Sequence, residues 1–349
     1  MAFQALTYPS APVGDPANHL LDEKLFPPPP GRIANSRLPT AVHLADFAAL
    51  PGDELVQLLP NLDIDTLAAL RLTYPSTAAA VDDLPELASL SAHAPHVLEA
   101  IYAIGTARWT TPGALDAALR SPACEDCGQA AGYLHLLAGP PRRVCFPCLE
   151  YDARYLPLTP DFAARCYGMD TDEVEDLPQM LAVGGVYGPG GQVVADGERL
   201  VDRDAARRAG IEKHGGLSEM QHYVEKWTGK FRRRLGLAGD SEEWEALCPP
   251  GALAPRRPDA ADPVNEWVET PLRYVAVVRV PWVKTEEDGT DQVVWPVHCL
   301  GCQGAREPPF DGRRQFIRET FADHLREGEQ ILEGTHILSP GSGWTSSLR

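Results

Sequence analysis

Four cysteines in the middle of the chain have the residue type and the spacing of a metal site. Cys124 and Cys127 form one Cys-x-x-Cys pair, and Cys145 and Cys148 form a second pair after seventeen intervening residues. Each pair can direct two sulfur atoms at one point, and this spacing is typical of four-cysteine structural zinc sites. Gly128 suits the sharp bend after the second cysteine. Four thiolates leave no position for water, so we expect a site that stabilises structure and performs no chemistry.

Two other uses of these cysteines stay open. A redox Cys-x-x-Cys normally begins a helix in a βαβ unit, and the surrounding sequence does not show one. The thiols could also be buried as small apolar side chains. Disulfides are not expected, because six of the eight cysteines lie in Cys-x-x-Cys pairs and the chain has the features of an intracellular protein.

A second, less complete metal site is predicted near the C-terminus. Cys299 and Cys302 form a third Cys-x-x-Cys pair, and His324 follows after twenty-one residues on a predicted helix. A strand, a cysteine pair and a helix-borne histidine are the arrangement of finger-like zinc sites. One helical turn after His324, where a fourth ligand is expected, the sequence has Gly328. The remaining candidates for the fourth position are His298, His336, Cys248 and a water molecule.

Enzymatic activity is a remote alternative. A water-filled position at the second site would allow a catalytic metal, with Glu319 or Glu327 as the base. The sequence identifies no Ser-His-Asp or Cys-His arrangement, because such groups are recognised by geometry and not by order. The glycine-rich run at 183–191 lacks the Gly-Lys-Ser/Thr of a phosphate-binding loop. We therefore expect no catalytic residues and no organic cofactor.

The elements that position these ligands predict an α+β fold in several units. Proline-interrupted helical periodicity precedes the first cysteines, and β-branched runs precede the last pair. The predicted units are a disordered proline-rich arm (1–40), a helical domain (41–92), a helical domain with the four-cysteine zinc module at 121–150 (93–237), an acidic proline-rich linker or loop (238–271), and a β-hairpin and helix with the second zinc site (272–340).

Several individual elements can be predicted within these units. Thr159 is expected to cap a helix that continues towards Tyr167. The glycine-rich run is expected to form a hairpin that turns at 189–191. A second hairpin is predicted from the strand 272–280, a turn at 287–289 and the strand 293–297.

Net charge and hydropathy limit the classes of partner that the chain can bind. The chain has 31 basic and 49 acidic residues, and its net charge of −18 argues against a nucleic-acid partner, because phosphate contacts need Lys or Arg. The first residues show no basic region followed by an apolar run, and no stretch of eighteen apolar residues occurs. We expect no membrane partner and a location in the cytoplasm or nucleus.

The stretch Leu50–Leu72 closely resembles an F-box. It begins with Leu50-Pro51, continues through leucine-rich positions to Leu62-Asp63, and then carries Leu67-x-x-Leu70-Arg71. The layout from about Leu50 to His336 resembles the zinc-containing F-box-like proteins of filamentous fungi. In those proteins a four-cysteine knuckle pair, a basic helix, a Trp-containing hairpin and a Cys-x-x-Cys with a helix-borne His follow in this order.

The resemblance implies a function in protein degradation. The family's F-box binds a Skp-type adaptor and, through it, a cullin-RING ubiquitin ligase, and the zinc-stabilised remainder would bind an unknown target protein. The implied contact or packing residues are Leu50, Pro51, Leu55, Leu58, Leu59, Leu62, Leu67 and Leu70. The alternative is a zinc-stabilised scaffold or nucleic-acid-associated protein without a ligase role, in which these helices only pack internally.

Overall fold

The computed structural model mixes helices and strands, as the sequence predicts. It describes residues 6–8, 54, 57–73, 75–137, 140–187, 192–234, 271–303, 306–307, 310–327, 330–332 and 335–337. Several predicted features lie outside these residues. They are Leu50, Pro51, Leu55, Cys248, Gly328, the turn at 189–191 and most of the predicted arm and linker.

The helices alternate with short strands along the chain. The α-helices are α1 (Ile64–Arg71), α2 (Pro75–Asp82), α3 (Pro85–His93), α4 (Pro95–Ile104), α5 (Pro112–Arg120), α6 (Phe146–Tyr151), α7 (Pro160–Tyr167), α8 (Thr171–Glu175), α9 (Arg203–His214), α10 (Leu217–Arg234) and α11 (Arg318–Glu327). The 3-10 helices are Leu59–Asn61, Ala107–Trp109, Ala153–Tyr155, Pro271–Tyr274 and Leu300–Cys302.

The strands form two- and three-stranded sheets. They are β1 (Thr7–Tyr8), β2 (Tyr133–His135), β3 (Arg142–Val144), β4 (Gln179–Leu181), β5 (Gly185–Tyr187), β6 (Gln192–Val194), β7 (Arg199–Val201), β8 (Val277–Val278), β9 (Trp282–Thr285), β10 (Asp291–Val294), β11 (His298–Cys299), β12 (Arg306–Glu307), β13 (Phe310–Asp311), β14 (Gln330–Leu332) and β15 (Thr335–Ile337). The predicted hairpin in the glycine-rich run is confirmed, because β5 pairs antiparallel with β6.

Prolines and a capping aspartate define the first helices. Pro85, Pro95 and Pro112 each stand in the first turn of their helix, where the missing N–H costs no hydrogen bond. Asp63 caps α1 by accepting a hydrogen bond from the Thr66 backbone N–H at 2.8 Å. The short helices pack on a small apolar cluster of their own, formed by Leu59, Leu67, Leu70, Val81 and Leu84.

The largest hydrophobic core surrounds the sheet that carries the first cysteine module. The strand order is β3–β2–β8, and Leu134 of β2 faces Val278 of β8. Both residues are completely buried, as are Tyr133 and Val277. A second apolar cluster joins α7, α9 and α10. The helix predicted from Thr159 to Tyr167 is confirmed as α7.

The predicted C-terminal hairpin is correct in its turn and wrong in its first strand. The strand that pairs with β10 is β9, with Val283 facing Val293. Val277 and Val278, which the sequence assigns to the hairpin, form β8 and extend the central sheet instead. These valines are buried on both faces of the strand, and burial on both faces favours an internal sheet over an exposed hairpin.

The N-terminal segment differs from its prediction at two residues. Thr7 and Tyr8 lie in the predicted arm but form β1, which pairs antiparallel with Cys299 and His298 of β11. Leu6 packs against the apolar cluster around the second cysteine pair. In the described part of the chain, no helix has the length and apolar character needed to cross a membrane.

Candidate metal centres

The four cysteines of the first module come together as the sequence predicts. One ligand atom from each of Cys124, Cys127, Cys145 and Cys148 lies within 4.8 Å of the others, and Sγ of Cys127 is 3.5 Å from Sγ of Cys145. Four sulfur atoms at this separation can surround one metal ion, and a tetrahedral set of thiolates is typical of zinc and iron sites. This geometry supports a metal site over thiols that serve only as apolar side chains.

Local backbone structure builds each half of this cluster. The Gly128 N–H donates to the Cys124 carbonyl at 2.9 Å, and Gly128 has a φ of +72°, a conformation that glycine adopts without strain. On the other side, Cys145 directly precedes α6 and Cys148 lies within it. The cysteine pairs therefore use a turn on one side and a helix start on the other. The sequence predicts the turn at Gly128 but not the helix.

The protein environment already favours a thiolate at this cluster. Hydrogen bonding with the Cys145 thiol and with backbone N–H groups lowers the pKa of Cys124 to about 5, against the effect of burial. The same pairing raises the pKa of Cys145, because two adjacent thiolates repel each other without a cation. A bound metal ion would supply that positive charge and stabilise the remaining thiolates. The donor set therefore fits a metal ion.

The second cluster also forms, with three ligand atoms from described side chains. Cys299, Cys302 and His324 have ligand atoms within 4.8 Å of one another, and Cys302 Sγ lies 3.4 Å from Nε2 of His324. All three side chains are buried, and the imidazole of His324 stacks on Phe316 with 4.2 Å between ring centroids. Hydrogen bonding with Cys299, followed by burial, raises the pKa of the Cys302 thiol. This cluster can also hold a metal ion.

The structure narrows the choice of the fourth ligand. His298 does not join the cluster, and its Nδ1 atom lies 3.1 Å from the Arg314 carbonyl oxygen instead. His336 belongs to β15, a strand that packs beside the 3-10 helix Leu300–Cys302. Cys248 lies outside the described residues. The fourth position is therefore open to His336, Cys248 or water.

The structure does not bring Glu319, one of the two carboxylates proposed for a catalytic role, into the second cluster. Glu319 is exposed, whereas Cys299, Cys302 and His324 are buried. Glu327 ends α11, and its side chain lies outside the described atoms. Among the described side chains, no carboxylate joins the three ligand atoms.

Residues that the sequence did not single out support the first cluster. Asp126, inside the first cysteine pair, accepts a hydrogen bond from the Tyr155 hydroxyl and forms an ion pair with Arg154 at 2.9 Å. The guanidinium of Arg143 is buried and donates to three carbonyl oxygens, those of Ala118, Gly132 and Pro281. These partners are distant in sequence, so ligand spacing gives no signal for them.

The F-box-like leucines that the structure describes fall into two groups. Leu59, Leu67 and Leu70 are buried in the small cluster of the first helices, and Leu62 packs against it while half-buried. Leu58 is 45% exposed. Residues of α1 to α4 line a groove of about 420 Å³. Arg71 and Asp82, which form an ion pair, are part of its lining.

Comparisons with protein-family models, with curated proteins and with solved structures give no match for this chain. Similarity therefore assigns no family to the chain.

Proposed function

We propose that the chain is a non-catalytic receptor subunit of a Skp–cullin–RING ubiquitin ligase, stabilised by two zinc ions. The helices near the N-terminus would bind the Skp-type adaptor, and the zinc-stabilised remainder would bind a target protein. Zinc is proposed as the metal because its usual protein ligands are cysteines in Cys-x-x-Cys pairs, alone or together with histidine. The ligase role rests on the F-box-like sequence of the helical unit.

The observation that carries the adaptor proposal is the exposure of Leu58. The other described F-box-like leucines hold the short helices together, so Leu58 is available for a partner while the unit stays folded. Leu72, at the end of α1, is also 55% exposed. Full burial of one leucine side chain in an interface contributes about 1.5 to 3 kcal/mol, or roughly a tenfold to hundredfold change in affinity.

The clusters support a role without chemistry. Four cysteine ligands complete the coordination of a zinc ion, and the ligand atoms of the second cluster are buried. Metal binding at such sites supplies folding free energy, on the order of 10 kcal/mol in small zinc modules. In this proposal, the zinc ions hold the surface that presents a target, and ubiquitin transfer belongs to other subunits.

The alternative is a zinc-stabilised scaffold whose first helices only pack internally. It is favoured by the burial of Leu59, Leu67 and Leu70, and by Ile64 of α1, which belongs to the largest core of the protein. In this alternative, the helical unit has no partner, and Leu58 is an ordinary exposed leucine. Binding of a Skp-type adaptor distinguishes the two functions, because the receptor requires it and the scaffold does not.

The test is co-elution of the full-length protein with a purified Skp-type adaptor, followed by an affinity measurement. We expect the wild type to bind and Leu58→Asp to bind at least about tenfold more weakly. Leu181→Asp is the matched control, because Leu181 is 47% exposed and lies on β4, outside the helical unit. Circular dichroism should show that both variants are folded. Absence of wild-type binding, or equal binding by the two variants, would favour the scaffold.

A further inference from the structure

The segment 311–316 lies between the two cysteine clusters and contacts both. On the side of the first cluster, the guanidinium carbon of Arg313 lies 4.1 Å from the ring centroid of Phe146, the residue that follows Cys145. The Tyr133 hydroxyl, in the strand beside β3, donates a hydrogen bond to the Arg313 carbonyl oxygen at 2.9 Å. Arg313 is therefore held against the module that carries Cys124, Cys127, Cys145 and Cys148.

The same segment is fixed to the second cluster by three contacts. Gly312 lies so close to Cys302 that a Cβ atom on the glycine would be 2.7 Å from the Cys302 carbonyl oxygen. Phe316 stacks on the imidazole of His324, and its backbone exchanges hydrogen bonds with Val297 at 2.8 and 2.9 Å. The Arg314 carbonyl oxygen contacts Nδ1 of His298, the neighbour of Cys299. Two ligands of the second cluster thus touch this segment directly.

A buried ion pair stiffens the segment between these contacts. Arg313 donates to both carboxylate oxygens of Asp311, at 2.9 and 2.7 Å, and its backbone N–H donates to Asp311 at 2.8 Å. The two side chains are 6% and 2% exposed, so water screens this interaction weakly. Breaking a buried pair by removing one partner is strongly destabilising, which favours one defined arrangement of the segment.

We propose that Arg313 couples the two metal sites, so that a metal ion at one site raises the affinity of the other. A metal at the second cluster fixes Cys302 and His324, which fixes Gly312 and Phe316 on either side of Arg313. The guanidinium then holds Phe146, and with it the backbone of Cys145, in the position required for the first site. Arg313 acts as a positioning residue, because it contacts no proposed ligand atom.

The coupling is independent of adaptor binding but rests on the zinc occupancy proposed above. Coupling between two sites is reciprocal, so each metal must raise the affinity of the other by the same factor. Couplings of this kind are typically about 5- to 150-fold. We expect a value near tenfold here, because the connection runs through one short buried segment.

The test is a double-mutant cycle on zinc affinity, measured by competition with a chelator and counted by native mass spectrometry. Cys302→Ser, which disables the second site, should lower the zinc affinity of the first site about tenfold. In the Arg313→Met background, the same serine substitution should change that affinity less than twofold. Arg326→Met is the matched control, since Arg326 forms an exposed ion pair on α11, and it should leave the coupling unchanged.

A second set of variants guards against loss of folding. Arg313→Lys keeps a positive charge beside Asp311 but removes the planar group that stacks on Phe146, so it should also weaken the coupling. Cys148→Ser, which disables the first site, should lower the zinc affinity of the second site. The factor should equal that by which Cys302→Ser lowers the zinc affinity of the first site. As an independent readout, cobalt(II) is titrated into the wild type, and we expect the visible absorption of the first site to change when the second site fills.

The outcomes separate the two proposals. A protein that binds two zinc ions, with a first-site affinity unaffected by Cys302→Ser, would overturn the coupling and leave the proposed function intact. Coupling that persists in both Arg313 variants would overturn the role of Arg313. A chain that binds no zinc would overturn both the coupling and the zinc part of the proposed function.

Discussion

The Sγ atom of Cys302 lies 3.4 Å from Nε2 of His324, and neither side chain is more than 2% exposed. The first cluster differs, because Cys127 is exposed and Cys148 is half-buried. A chelator can therefore approach the first cluster from solvent, whereas the second cluster must open before its ligands are reached. This difference in access has a kinetic consequence.

We predict that a strong chelator removes the two zinc ions in two phases. The fast phase belongs to the first cluster, and the slow phase to the second, whose release requires local unfolding around Cys299 and Cys302. The measurement is zinc release followed with a chromogenic chelator. Cys302→Ser should lack the slow phase and keep the fast one. A single phase that releases both ions in the wild type would contradict this difference in access.

The fourth ligand of the second site can be identified by cobalt substitution. Structural zinc sites are almost always four-coordinate, so we predict that His336 or Cys248 completes the set of three described ligands. Either His336→Ala or Cys248→Ser should then change the cobalt(II) visible spectrum of that site, with a decrease in thiolate-to-metal absorption only for the cysteine variant, since Cys299 and Cys302 remain. His222→Ala, at an exposed position on α10, is the control. Unchanged spectra in both variants would assign the fourth position to water.

Two glycines of the first module should differ in their tolerance of alanine. A Cβ on Gly128 meets no atom within 4 Å, so Gly128→Ala should cost about 1 to 2 kcal/mol, from its positive φ alone. A Cβ on Gly132 would lie 2.5 Å from the Val144 carbonyl oxygen, next to Cys145, and the backbone would have to move. Urea unfolding of the zinc-loaded protein should show the larger loss for Gly132→Ala. Equal losses would contradict the close approach of the two strands.

His135 gives the protein a sensitivity to acid. Its side chain is buried, neither ring nitrogen has a hydrogen-bond partner among the described residues, and its ring contacts Tyr155 at a centroid distance of 5.2 Å. Burial, followed by the charges of Arg142 and Arg273, lowers the pKa of this imidazole to about 3. In an unfolded chain, the pKa of a histidine is about 6.5. At pH values between about 3 and 6.5, the imidazole of His135 is therefore protonated in the unfolded chain and neutral in the folded protein.

The free energy of unfolding should therefore fall as the pH decreases from about 6.5 towards 3, by at most about 1.4 kcal/mol per pH unit for this residue. We predict that between pH 7.5 and 5.5 the wild type loses about 1.4 kcal/mol more stability than His135→Leu. Urea unfolding at the two pH values measures this difference. His222→Leu should behave as the wild type. The same loss in the wild type and His135→Leu would show that the histidine is not buried in its neutral form.

Both ligand clusters could be predicted from the sequence because their information is local. The four cysteines of the first site are positioned by short-range structure, a turn at Gly128 for Cys124 and Cys127 and the start of α6 for Cys145 and Cys148, and His324 follows from helical periodicity in α11. The structure brings together the four cysteines of the first site and Cys299, Cys302 and His324 of the second. The helix start after Thr159 and the turn at 287–289 are similarly short-range features, and both are present, although the Thr159 side chain makes no capping hydrogen bond.

Long-range pairing could not be predicted in the same way. Val277 and Val278 have the composition of a strand, but nothing in a β-branched run specifies β2 as its partner. Thr7 and Tyr8 form a two-residue strand, too short to show periodicity, within a proline-rich segment. Arg313 resembles a surface arginine in sequence, and only the fold reveals that it is buried against Phe146.

Met220, Tyr223, Val224, Trp227, Phe231 and Leu235 recur at helical spacing, and this apolar stripe predicts one buried face for α10. In the described part of the helix, only some of these side chains are buried. Met220 and Val224 are completely buried, as the apolar stripe predicts. Tyr223 and Trp227, which belong to the same stripe, are 37% and 44% exposed and contact each other with 6.0 Å between ring centroids. The apolar stripe identifies which side of α10 faces the core. How many side chains on that side are buried depends on the elements that pack against it.

The central claim is that both clusters are zinc sites on which the fold depends, and the proposed function and the coupling both build on it. Native mass spectrometry of the protein, purified without chelators, tests it most directly. The account predicts two zinc ions per chain, one zinc ion in Cys148→Ser or Cys302→Ser, and loss of cooperative unfolding when both are removed. A wild-type protein that carries no zinc and still unfolds cooperatively would contradict it.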